Sequence, residues 1–305
     1  MKKFILFTGA SSFTGFHFVK KLSENKNYSI VCTFTKKKFY YEKLKLKRLL
    51  ILSKKKNIKF FYNVAFGDKK FFKIIEKNNF NFICLHGSYT YQYNDDQKFK
   101  ITDALGSNLN NIDFFYNKIS KSTKLILSNS IFQKNEKKNY DSIGKYGLSK
   151  FITHEVINYL SKKNKIDTGF FFIPNPWGVL EERRFLYYLI KNWKEGNTPV
   201  IKSPFYIRDN IYVDDLTNQY IKLFSKNLNY NLFYPSGFKS NNLNFALKIK
   251  KEYEKFFKQK VKLSHIRQTK FDEPLKRVNS IRNTKKDFAK KNQLFEYFQY
   301  YSQES

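Results

Sequence analysis

The sequence predicts an α/β protein built on a doubly wound parallel sheet. Two observations lead there. Through about residue 174, short apolar runs of strand type alternate with amphipathic helical patterns. The chain also opens with a strand, a turn of small residues and a helical stretch, the order in which α/β sheets begin a phosphate-binding unit.

The elements follow in order. Residues 3–8 are a strand because Phe4-Ile5-Leu6-Phe7 is a short apolar run that ends at Thr8-Gly9. Apolar positions at helical spacing make 14–24 a helix. Strands are expected at 28–35, 58–64, 80–86, 123–128 and 167–174, where β-branched and aromatic residues concentrate. Helical patterns occupy 69–78, 105–121 and 146–163. The lysine-rich stretches 36–38 and 53–56 read as solvated faces or loops. From about Trp177 the pattern turns irregular, broken by Gly196, Pro199, Pro204, Pro235, Gly237 and Pro274.

Composition narrows the function classes. A chain of 305 residues can bury a sizeable core. Its net charge of +33 invites a nucleic-acid reading. Against that, only seven of its 58 basic residues are arginine, the side chain that base edges prefer, and the lysines spread along the whole chain. Phe, Tyr, Asn and Ile are abundant as well, the mark of an AT-rich coding sequence. No dedicated nucleic-acid role is expected, though the charge helps to draw in anionic ligands. Cys32 and Cys84 fall in predicted strands and read as reduced core residues. The histidines are scattered, so no metal site is expected. No segment has the length of a membrane span, and the first apolar run is too short for a signal-peptide core. A cytoplasmic protein is the expectation.

Chemistry concentrates in two places. The turn Gly9-Ala10-Ser11-Ser12-Phe13-Thr14-Gly15 sets backbone N–H groups at a helix N-terminus, where a pyrophosphate binds well. Tyr146 and Lys150 lie four residues apart, one helical turn, so phenol and ammonium share a face. A cation beside a phenol favours the phenolate, and a phenol so tuned can exchange a proton with a hydroxyl next to a carbon that gains or loses hydride. Ser128, at the end of the strand Leu125-Ile126-Leu127, can hydrogen-bond the same oxygen, and Ser130 is a second candidate for that role.

These residues, in this order, resemble the NAD-dependent epimerase/dehydratase family, the extended short-chain dehydrogenase/reductases that work on nucleotide sugars. The family loop is Gly-x-x-Gly-x-x-Gly, and here Ser12 stands at the middle glycine. Further likenesses are Phe82-Ile83-Cys84-Leu85-His86-Gly87, Asn108, Pro174-Asn175-Pro176-Trp177-Gly178 and Arg208-Asp209-Asn210-Ile211-Tyr212-Val213-Asp214-Asp215. The resemblance implies a Rossmann fold over residues 1–176 and a smaller, partly interleaved substrate-binding lobe over 177–305. It implies catalysis by Ser128, Tyr146 and Lys150. A dinucleotide would lie against Gly9, Ser11, Ser12, Phe13, Thr14, Gly15, Thr33, Thr35, Lys36, His86, Gly87, Tyr146, Lys150 and Pro174. Ser128, Ser130, Asn175 and Arg208 would face a nucleotide-sugar substrate, with Arg208 equally open to an ion pair with Asp214 or Asp215. A homodimer is common in the family.

Cofactor choice turns on residues 32–38, Cys-Thr-Phe-Thr-Lys-Lys-Lys, which hold no carboxylate for the adenosine ribose of NAD. Hydroxyls and lysines there favour NADP(H). Family dehydratases carry Asp-Glu after the strand-five serine or threonine, whereas here Asn129 follows Ser128, so 4,6-dehydration is not expected. An epimerase or a keto-sugar reductase remains. The alternatives are a non-catalytic dinucleotide or sugar-nucleotide binder and a reductase of a non-sugar carbonyl compound. Specificity would rest on the loops around 88–97, 178–185 and 264–279.

Overall fold

The computed structural model describes residues 2–133, 141–279 and 288–303. In chain order its elements begin with β1 (Lys3–Thr8), α1 (Phe13–Leu22), β2 (Tyr28–Phe34), α2 (Lys43–Ser53), β3 (Ile58–Tyr62) and α3 (Lys69–Glu76). Then come β4 (Phe82–Leu85), α4 (Ile101–Asn108), α5 (Ile112–Lys118), β5 (Lys124–Ser130), α6 (Gly144–Asn164) and β6 (Thr168–Ile173). The remainder holds β7 (Asn175–Trp177), α7 (Phe185–Lys194), β8 (Val200–Ile201), β9 (Ile207–Tyr212), α8 (Val213–Ile221) and β10 (Leu232–Phe233). It ends with β11 (Phe238–Asn241), α9 (Asn242–Phe257), β12 (Ser264–His265), β13 (Lys276–Arg277) and α10 (Lys291–Gln303).

Contacts group these elements into two compact units: Met1–Ile173 with Thr217–Phe233, and Pro174–Leu216 with Tyr234–Ser305. The first is the doubly wound parallel sheet. Its seven strands run in the order β10-β6-β5-β4-β1-β2-β3, and every neighbouring pair is parallel. The chain winds from β1 out to β3, then crosses to β4 on the other side of β1. Strand order therefore reverses between β1 and β4, and ligands of such sheets bind at the carboxyl ends beside that reversal. Ile5, Leu6, Phe7, Ile83, Leu125, Ile126 and Phe170 are essentially inaccessible, as both-face coverage by helices demands.

Three elements depart from the sequence reading, each for a local reason. The single helix expected over 105–121 is two, α4 and α5. Asn111 between them is left-handed at φ 48°, and its amide donates to Gly67 O at 2.8 Å. Helix α2 was not expected, because Lys43-Leu44-Lys45-Leu46-Lys47 alternates with period two and gives no helical stripe. Its buried face is Arg48, Leu49 and Leu52. Strand β5 runs two residues past Ser128, pairing Ser130 with Ile173, so Ser130 is its last residue.

The second unit has a sheet of β11, β9 and β13, with β7 also paired to β9. Trp177, Leu189, Trp193, Tyr253, Tyr297 and Phe298 form its core with residues of α7, α9 and α10. Asp209 is wholly buried, and its carboxylate accepts the N–H groups of Gly237 at 2.6 Å and Asn279 at 3.0 Å. That acid of the Arg-Asp signature therefore ties two loops to β9.

Candidate active site

The glycine loop is built by close approach. Gly9 has φ +76°, and a Cβ there would lie 2.6 Å from the Gly87 backbone; one on Gly15 would lie 2.4 Å from Gly9 O. Gly9 at the end of β1 and Gly87 after β4 can thus touch where strand order reverses. Ser12 caps α1: its hydroxyl accepts from Gly15 N–H at 3.2 Å and donates to Gly9 O at 2.8 Å. The first-turn N–H groups of Phe13 and Thr14 have no acceptor within the helix. A tight glycine cradle at a helix N-terminus fits the pyrophosphate of a dinucleotide.

His86 bridges this loop to β5. Its Nε2 lies 3.0 Å from Ser12 Oγ and 3.2 Å from Thr14 Oγ1, and its Nδ1 lies 2.8 Å from Ser128 Oγ. The ring packs near Phe7 and Phe18. Burial, and then the Lys150 charge, push its pKa down to about 3, so the imidazole is neutral and carries one proton. Either ring tautomer fits these distances, and we assign the one with the proton on Nε2. The Ser12 hydroxyl spends its proton on Gly9 O, so it accepts from His86 Nε2–H; Nδ1 then accepts from the Ser128 hydroxyl.

Lys150 and Tyr146 reach the same strand end from α6. The buried Lys150 ammonium donates to Ser128 O at 2.7 Å, and burial lowers its pKa to about 8. Tyr146, one turn earlier and half-buried, is ringed by Tyr93, Phe99 and Phe132 at 5.3, 5.9 and 5.9 Å between centroids. Gly147 allows α6 to come this close, since a Cβ there would lie 2.2 Å from Phe132 O. Ser128 is buried and faces His86, with the Tyr220 hydroxyl beside it. Ser130 is half-buried, and its hydroxyl oxygen accepts from Phe132 N–H at 3.2 Å. Asn129 is buried and bonds His154 Nδ1 at 2.9 Å.

At the end of β2, Thr33 is buried, while Thr35 and Lys36 lie just beyond the strand. The Tyr41 hydroxyl lies by the side chains of Thr35 and Ser11 and the Lys36 backbone. Arg48, wholly buried, donates to Ser11 O at 3.0 Å. Sequence reading missed both Tyr41 and Arg48. Arg48 carries the one usable signal, an arginine among leucines on what is now a helix.

In the second unit, Pro174 precedes β7, and Asn175 donates to Asn210 Oδ1 at 2.6 Å. Arg208 is buried and pairs with Glu273 at 2.8 Å, and not with Asp214 or Asp215, the ion-pair alternative left open by sequence. It stacks over Tyr206 at 4.4 Å. Arg277, also buried, reaches the same carboxylate at 3.2 Å. Burial and then the Arg277 charge pull the Arg208 pKa down to about 10, against the opposing pull of Glu273. Two guanidinium groups thus share one acid. Sequence reading did not single out Arg277. Among the described residues no group of His, Cys, Asp and Glu has the makings of a metal site, and no helix is long and apolar enough to cross a membrane.

Known structures share this fold over almost the whole chain. A UDP-glucuronic acid 4-epimerase from Bacillus cereus, solved with UDP-glucuronic acid and NAD, matches with a TM-score of 0.78 at 16% identity, covering 99% of this chain and 100% of that one. A UDP-glucose 4-epimerase from Thermotoga maritima, solved with UDP-glucose, gives 0.75 at 16% identity over 99% of both chains. A dTDP-glucose 4,6-dehydratase from Bacillus anthracis, with NAD, gives 0.75 at 13% identity over 98% and 96%. The sequence matches no curated protein. The family model does match, over residues 5–232, and the chain belongs to the NAD dependent epimerase/dehydratase family.

Proposed function

We propose that this chain catalyses reversible hydride transfer at a ring carbon of a nucleotide sugar, with a nicotinamide dinucleotide. One observation carries the reading. The buried Lys150 ammonium, one turn of α6 from Tyr146, donates to Ser128 O near the end of β5, the strand that ends at Ser130. When bound, the dinucleotide supplies the carbon that takes up or returns hydride. Tyr146 takes the proton of the reacting hydroxyl and gives it back in the reverse direction. Lys150 favours the phenolate electrostatically and, as in the family, holds the nicotinamide ribose.

Ser130 suits the serine role better than Ser128. In the assigned tautomer the Ser128 hydroxyl donates to His86 Nδ1 and not to a substrate oxygen. Ser130 points to the same side of β5 by strand alternation, lies two residues further out and accepts from Phe132 N–H with its proton still to give. Phe132 in turn packs on Tyr146.

The buried Arg208 guanidinium suits the diphosphate of the substrate, with Asn175 as a further donor. The absence of an acid at residue 129 argues for hydride transfer without loss of water. The donors near the end of β2 (Ser11, Thr35, Tyr41, Lys36) and the lack of a carboxylate in 32–38 support a preference for NADP(H). This chain would differ there from the similar structures that hold NAD.

Mass spectrometry of the purified protein, followed by turnover assays on UDP and dTDP sugars and their keto forms, tests the proposal. A retained dinucleotide with interconversion of two sugars marks an epimerase, and stoichiometric cofactor oxidation marks a reductase. Neither dinucleotide binding nor turnover of any nucleotide sugar would refute both.

A further inference from the structure

We propose that His86 is a positioning residue whose contact with Ser12 holds that hydroxyl off the pyrophosphate, so that serine can stand at the middle glycine of the loop. The inference rests on the dinucleotide reading above and adds a residue to it.

The middle glycine of such a loop keeps side-chain atoms away from the pyrophosphate. Ser12 keeps an ordinary backbone at φ −71° and ψ 163°, so the cost of the replacement lies in where its hydroxyl points. A serine Oγ has three staggered positions. The one adopted is held by three partners. Gly9 O and Gly15 N–H belong to the loop itself, and the capping bond to Gly15 is long at 3.2 Å. The third is His86 Nε2–H at 3.0 Å.

The imidazole is well placed to keep that grip. Its other nitrogen is anchored on Ser128 at 2.8 Å, and its ring faces Phe7 and Phe18, with centroids at 5.5 and 5.4 Å. It also needs the last glycine of the loop, because a Cβ on Gly15 would lie 2.8 Å from its Cδ2. Ser12 and Gly15 at the start of α1 and His86 just after β4 therefore form one fitted set. Without the imidazole, only the two bonds within the loop, to Gly9 O and from Gly15 N–H, are left to hold the hydroxyl in this rotamer.

The test is a set of fluorescence titrations of NADH and NADPH into the full chain, with no turnover required. His86→Ala is expected to raise the Kd at least tenfold in the chain carrying Ser12. In the Ser12→Gly background the same change is expected to raise it less than threefold. Equal losses in the two backgrounds would show that His86 acts by packing alone, and a gain in affinity would show that the outward hydroxyl helps the pyrophosphate. Either overturns the proposal. If His86→Ala does not fold, His86→Phe keeps a ring against Phe7 and Phe18 while removing both nitrogens, and the same pair of outcomes applies. A wild-type chain that binds neither dinucleotide sinks the proposed function itself, an outcome distinct from the loss of coupling.

Discussion

Gly147→Ala sets a methyl group between α6 and the end of β5. The added Cβ would lie 2.2 Å from the Phe132 carbonyl oxygen and 3.0 Å from its carbon, more than about 1 Å inside van der Waals contact. Phe132 O also accepts Ile143 N–H at 2.8 Å, so it cannot turn away without breaking the bond that leads into α6. Alanine favours a helix interior over glycine by about 0.8–1 kcal/mol. Overpacking of this kind costs about 1–3 kcal/mol, so a small net loss of stability is expected. The larger effect falls on geometry. Tyr146 and Lys150 flank the substitution, and a displacement near 1 Å at a reacting group costs about 100-fold in rate. Thermal unfolding and kcat on the same preparation separate the two effects. A variant that melts higher than wild type and turns over at the wild-type rate would refute the argument that Gly147 brings the phenol to the strand end.

Further outcomes follow from the same site. Tyr146→Phe removes the acid/base hydroxyl and should slow turnover by about 10²–10⁴ while the fold and dinucleotide affinity persist; a wild-type rate would remove Tyr146 from the chemistry. Ser130→Ala should lower kcat more than Ser128→Ala does, and the reverse order would return the serine role to Ser128. Turnover should fall as pH rises through about 8, where Lys150 loses its proton. Its folded pKa lies below the usual 10.5, so between these values the unfolded chain holds more protons and wild type should gain stability with pH relative to Lys150→Met; parallel unfolding curves across that window would contradict the buried-ammonium account. Replacing Lys36 and Lys37 with Ala should weaken NADPH binding by tens-fold and leave NADH nearly unchanged if they hold a 2′-phosphate, at about 1.5–3 kcal/mol for each charge-assisted bond; equal losses would withdraw the NADP(H) preference.

The parallel sheet was legible because its strands are nearly continuous apolar runs, as in Phe4-Ile5-Leu6-Phe7 and Phe170-Phe171-Phe172, and burial on both faces requires that. The glycine loop was legible because close backbone approach admits few residue types. The roles of Tyr41, Arg48 and Arg277 were hidden for the opposite reason. Among 58 basic and 22 tyrosine residues, Arg48 among its leucines excepted, nothing local separates those that fold inward from those that stay in water. Between Ser128 and Ser130, which share a strand parity, sequence favours Ser128, because Phe132 four residues on stands at the family's aromatic position. The argument for Ser130 turns on where one proton goes, and His86, its partner, follows a different strand. Ser12 was visible as a departure from the loop pattern, but its partner lies 74 residues away.

The origin of the hydrogen on the reacting carbon is the most direct measure of the central claim. A nucleotide sugar that the protein converts is incubated with it in D2O, and the product is examined by NMR and mass spectrometry. Hydride transfer predicts that the reacting carbon carries no solvent deuterium, and that with deuterated cofactor a reductase product acquires the label there. Solvent deuterium at that carbon would mean proton abstraction from carbon in place of hydride transfer, and would contradict the account.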